Sequence, residues 1–139
     1  MSTQVAIYTT LKLEPYINPD FARTKAGRFA PNLTIARGTV LGQITTSGLM
    51  TPYASAATDG SQVPAGINTY DIVVDANSNV VIGGAGLLPG ILSSSDGTSE
   101  YYWRGAFLES ELTGLDANAI TALKAREMGV GTTKHVYLP

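Results

Sequence analysis

Few residues of this chain are of types that do chemistry, and their spacing sets none of them up for it. Asp75, Asn77 and Asn79 stand at the first three ligand positions of a calcium-binding loop. That loop needs glycine at its sixth position and glutamate at its twelfth. Val80 and Gly86 stand there instead, so a hairpin turn is expected. His135 is the single histidine; set in an alternating tail, it reads as a solvent-facing or interface imidazole rather than a ligand or base. Glu109 and Glu111 flank Ser110 and read as solvated surface groups rather than an acid–base pair. Residues 83–90, GGAGLLPG, lack the Lys-Ser/Thr ending and the βαβ setting of a phosphate cradle. Residues 129–134 resemble a piece of one but follow a helical stretch, the wrong way round for anion binding at a helix N-terminus. No serine sits in a nucleophile elbow. The expectation is no catalytic residue, no metal site and no cofactor.

Composition narrows the class. A length of 139 residues allows one domain by default. Charged residues make up 14%, well below the usual quarter or so, which suggests a surface covered in the working state. Fifteen glycines and seven prolines point to many turns and short strands. The net charge of −2 and the lack of any long Lys/Arg cluster remove the electrostatic footprint of a nucleic-acid binder. No apolar run reaches the length of a membrane span. There is no cysteine, hence no disulfide framework. The opening MSTQVAIYTT lacks a basic n-region, which predicts synthesis without Sec export and makes the sequon at Asn32 moot.

The elements that would hold such a chain together are strands. Residues 4–13 alternate, with Val5, Ile7, Thr9, Leu11 and Leu13 on one side. No turn signal follows to bring a partner strand. Residues 14–20 then break regular structure at Pro15 and Pro19, and residues 21–31 carry Arg23, Lys25 and Arg28. Residues 1–35 therefore read as an extended arm that adds a strand to another chain; the competing reading makes residues 4–13 the first strand of the domain's own sheet. Residues 36–139 form the body. Residues 39–45 and 49–53 are expected to be strands joined by Thr46-Ser47-Gly48, with Gly48 left-handed, and Pro52 marks the second as an edge. Residues 59–62, DGSQ, are a loop. Residues 68–74 and 80–82 are strands about a turn, residues 83–97 a flexible insert, and residues 100–108 a strand with Tyr101, Trp103, Gly105 and Phe107 on one face. That parity puts Trp103 in the core beside Phe107. Asp116 caps a helix with Leu115 as its staple, and Gly129 is expected to end it. Residues 134–139 read as a last strand.

The fragments RGTVLGQIT, SGLMTPY, DGSQVPAGI, YYWRGAF and LTGLDANAITAL, in that order and spacing from Asn32 to Leu123, resemble the phage head-decoration proteins of the lambda capsid-stabilising type. The resemblance implies a small, mainly β domain of the β-tulip or partly open barrel-like kind, with one short helix in its C-terminal half and an extended N-terminal arm. It implies no enzymatic activity. It implies a cement role: trimers at local three-fold axes of the expanded head, clamping the major capsid protein against internal DNA pressure. The location implied is the outer surface of the virion, after synthesis in the bacterial host cytoplasm. The arm residues Val5, Ile7, Tyr8, Leu11 and Leu13 fall where the family's capsid-binding arm lies. Tyr102 and Arg104, on the face opposite Trp103, are candidates for a trimer or capsid surface, where such residues are enriched. The arm is longer than in the lambda type, and residues 83–98 have no counterpart there. The alternative is a carbohydrate- or receptor-binding β module on a virion surface; a hydrolase would need clustered polar groups that the sequence lacks.

Overall fold

The computed structural model describes residues 23–83, 91–126 and 128–131. Their strands in chain order are β1 (Arg23–Arg28), β2 (Leu33–Ile35), β3 (Val40–Gln43), β4 (Met50–Pro52), β5 (Pro64–Asn68), β6 (Ile72–Val74), β7 (Val80–Ile82), β8 (Ile91–Ser94) and β9 (Thr98–Leu108). A single 3-10 turn (Glu109–Glu111), helix α1 (Ala117–Ala125) and β10 (Met128–Gly131) follow. The larger sheet runs β1-β9-β5-β3-β4, with β10 also paired to β9; the smaller runs β2-β6-β7-β8. Every strand pair is antiparallel except β10 with β9. The expected mainly β class with one short helix is borne out, as two open sheets. The larger sheet's edges, β1 and β4, approach each other at the bridge Phe29–Met50.

Three layers result. Between the sheets lie Phe29, Ile35, Leu41, Met50, Ile72, Val74, Val80 and Tyr101. On the other face of the larger sheet, Val40, Tyr53, Ile67, Tyr102, Phe107 and Met128 pack with Ala119 and Leu123 of α1. The larger sheet is thus covered on both faces. That is why neighbours such as Val40 and Leu41, or Tyr101 and Tyr102, are both buried, and why simple alternation fails in these strands. Asn68 stitches the layers. Its buried Nδ2 donates to the carbonyls of Ile35, Ala36 and Tyr70 at 3.3, 3.1 and 2.6 Å, so the end of β5 is tied to β2 of the other sheet.

Local chemistry behaves as its residues dictate at most turns. Gly48 has φ 75° and donates to the carbonyl of Ile44 at 2.7 Å, and β4 ends at Pro52 on the sheet edge. Asp75 closes the β6–β7 turn, its Oδ1 accepting from the amides of Asn77 and Asn79 at 2.8 and 2.9 Å; the calcium-like spacing is indeed a hairpin. Asp116 caps α1, accepting from the Ala119 amide at 2.7 Å.

Four expectations are corrected. Residues 23–35 belong to the body, not to the arm: β1 pairs with β9 along its length, and Phe29 is fully buried, which contributes about 2–3 kcal/mol. RTKAGR hides this because β1 is an edge strand with almost every side chain in solvent; only its partner makes it a strand. Residues 68–74 are not one strand, because the chain leaves the larger sheet after Asn68 and enters the smaller at Ile72. The helix ends at Ala125, with the Arg126 amide turned back to the Leu123 and Lys124 carbonyls, because residues 128–131 are drawn into a parallel pairing with β9. Part of the presumed flexible insert is ordered as the β8–β9 hairpin. Residues 1–22, 84–90 and 132–139, with the strand 4–13, the arm residues Val5, Ile7, Tyr8, Leu11 and Leu13, most of GGAGLLPG, His135 and the tail strand, lie outside the described residues.

Candidate interaction surface

A fifth correction concerns β9. The register with β1 runs Arg23 opposite Arg104, Thr24 opposite Tyr102 and Lys25 opposite Tyr101. Trp103 has no partner in this register: it is the extra residue of a β-bulge, a device that re-aims a side chain. Tyr102 accordingly points inward. It is 6% exposed, with its ring 5.5 Å from that of Phe107, so the expectation of Tyr102 as a trimer or capsid surface does not fit its place in the chain's own core. Trp103 is turned out, 38% exposed, against the expectation of a core anchor. Arg104 is half-buried at the open end of the β1–β9 pair.

What the bulge presents is a small platform. The Lys25 ammonium sits 5.6 Å from the Trp103 ring centroid and 5.7 Å from that of Tyr101, within cation–π range. The sequence signal for it was the aromatic run 101–103: three adjacent rings cannot share one face, and only a bulge or a doubly covered sheet reconciles them. Other exposed apolar side chains, Val63, Tyr70 and Leu92, lie on different elements.

The remaining polar groups build turns. Asp59 accepts from the Ser61 hydroxyl and amide at 2.6 and 3.0 Å, and these bonds hold its carboxyl below the ordinary range. Asp75 is held low by Asn79 and Asp96 by Thr98 in the same manner. Tyr53 donates to both carboxylate oxygens of Asp116, at 3.0 and 3.1 Å; burial first, then this carboxylate, raises the phenol. Glu109 and Glu111 stand on the 3-10 turn with no buried neighbour in that turn. Among the described residues no three potential metal ligands cluster, and no helix is long and apolar enough to cross a membrane.

A family model described as bacteriophage lambda head decoration protein D matches residues 18–86. No curated protein matches the chain. The matched span reaches past the end of β7 and contains RGTVLGQIT, SGLMTPY and DGSQVPAGI; YYWRGAF on β9 and LTGLDANAITAL, whose last residues form most of α1, lie beyond it.

Proposed function

This chain belongs to the bacteriophage lambda head decoration protein D family, and on that premise we propose that it binds the expanded head as trimers at local three-fold axes and cements neighbouring major capsid subunits against internal DNA pressure. The family is structural and non-enzymatic, so the chain is a capsid-decoration protein of the phage head surface. The family match is the observation that carries the finer reading. Supporting it, β1 is an edge strand of the body, entered at Arg23 from residues 1–22. A segment with the alternation of residues 4–13 can leave that edge and pair with a capsid strand. Ordering such a segment costs backbone entropy that one strand barely offsets. Three linked contacts on a closed trimer make the later ones intramolecular. Binding is therefore weak to isolated capsid protein and strong to the assembled, expanded lattice.

The test is a truncation. Removing residues 1–13 leaves β1 and Phe29 in place, so the product folds, and it no longer decorates heads in a cryo-electron image. Loss of folding would return that segment to the domain's own sheet, and unimpaired decoration would remove it from the interface. Equal affinity for free capsid subunits and expanded shells would remove the avidity. Exposed Trp103 favours one second reading, a glycan- or receptor-binding module. A glycan titration that shifts the fluorescence of this single tryptophan would support it.

A further inference from the structure

We infer that the Arg23 end of β1 is a reserve length of the arm: it peels from β9 as far as Gly27 when the arm engages a shell, while residues 27–30 stay clasped to the body. The inference rests on the decoration reading above. It starts from the unequal fastening of β1 along its length. At the far end the chain is held from two sides. The Phe29 amide donates to the Gly97 carbonyl at 2.8 Å, and the Ala30 amide to the Met50 carbonyl at 2.9 Å. The Phe29 side chain is fully buried between the sheets. Arg28 Nε donates to the Asp96 carbonyl at 3.1 Å. Gly27 lies close against the Tyr101 ring, where an added Cβ would stand 2.6 Å from Cε1.

The Arg23 end is held more lightly. The side chains of Arg23, Thr24, Lys25 and Ala26 are all exposed, so their pairing buries little apolar area. Arg23 and Lys25 do make contacts there, Lys25 over the Tyr101 and Trp103 rings; made by exposed side chains, such contacts are worth little in water. The ladder is also interrupted at this end. Its register shifts between Arg23 and Thr24, and a bulge disrupts pairing locally. Among the described residues no strand lies outside β1. An edge segment with few buried contacts opens at a fraction of the global stability. The arm enters at Arg23, so each residue that peels is added to the tether. Residues 23–26 add about 13 Å when extended. A tether of adjustable length lets one sequence meet capsid strands at different distances. The clasp at Phe29 keeps the slack from running into the inter-sheet core.

Two measurements on the full chain test this. The first is native-state hydrogen exchange of the free protein. The ladder amides joining residues 23–26 to β9 exchange at least about tenfold faster than those of Phe29 and Ala30, through an opening that low urea does not accelerate. One common, urea-sensitive opening for the whole of β1 would overturn the inference. The second is a staple. The chain has no cysteine, so Arg23→Cys with Arg104→Cys, facing positions at the open end, creates a single disulfide that pins β1 shut. The oxidised form binds expanded heads lacking the decoration protein about tenfold more weakly than the same variant after reduction, because the peeled state is closed to it. Both forms share one sequence, so any stability lost to the substitutions affects them alike. Exchange needs no variant and decides the matter if the staple does not close. Equal binding by the oxidised and reduced forms would sink this inference and leave the decoration reading intact. A wild type that ignores expanded heads would sink both.

Discussion

Tyr53 and Asp116 join two distant parts of the chain through a charged acceptor. The Tyr53 hydroxyl reaches both oxygens of the carboxylate that caps α1, so one aspartate holds the helix start and the end of the β4 segment together. Burial, then the Asp116 carboxylate, lifts the phenol above its ordinary value near 10. A folded-state value above the unfolded one means that this stabilisation is complete below about pH 10 and is lost as pH rises through the folded value. Urea unfolding of the wild type should show stability falling on that alkaline side. Tyr53→Phe should lose about 1–2 kcal/mol at neutral pH and flatten that decline. A Tyr53→Phe curve parallel to the wild type above pH 10 would mean that another group titrates. The role of Asp116 as a cap was legible from its place before an apolar helix pattern. Its second partner, 63 residues away, was not, because no local pattern announces a contact across that distance.

Turns carried the readable part of the elements, and pairings the unreadable part. Gly48, Asp75 and Asp116 act through bonds to residues within four positions, and such short-range chemistry is written in the sequence. Strands β1 and β10 are held by β9, far along the chain or across a helix; β1 has no alternating apolar pattern, and Met128 and Val130 of β10 make too short a one to announce a strand. The 59–62 loop shows both sides. Asp59 ties it locally through Ser61, yet the loop also lies on β3, where a Cβ added at Gly42 would meet the Ser61 carbonyl and come 2.6 Å from its Cα. Backbone cannot give way as a flexible side-chain tip can. Gly42→Ala should therefore destabilise the fold by about 1–3 kcal/mol, read as a lower urea midpoint at unchanged slope. A neutral result would mean that the loop is free to lift. The loop and turn aspartates add an acid limb: Asp59, Asp75 and Asp96 all have lowered folded values. Their contribution is present above the unfolded value near 4 and is lost as pH falls through the folded ones. Stability should be level near neutrality and decline below about pH 4. Changing Asp75 to asparagine should shallow that limb, whereas an unaltered limb would exclude this turn as a source.

The molecule as a whole is organised by β9, which pairs with β1, β5 and β10 and sends Tyr101 into one core and Tyr102 into the other. A strand shared by both cores is a physical means to a body that does not come apart by layers. The design was half visible: YYWRGAF announces a strand, but which ring serves which layer depends on the bulge and on both faces being covered. Gly66 on β5 is where the coupling can be probed. A Cβ there would stand 2.5 Å from Tyr101 Cδ2 and 2.6 Å from the Tyr102 carbonyl oxygen, pushing on β9 from within the sheet. If the layers are one cooperative unit, Gly66→Ala should lower the midpoints seen by far-ultraviolet circular dichroism and by Trp103 fluorescence together, as one coincident transition. The helix layer reports in the first signal and the β1–β9 end in the second. Separation of the two, with the tryptophan signal lost first and the helix persisting, would show that the layers unfold independently and that β9 does not bind them into a single body.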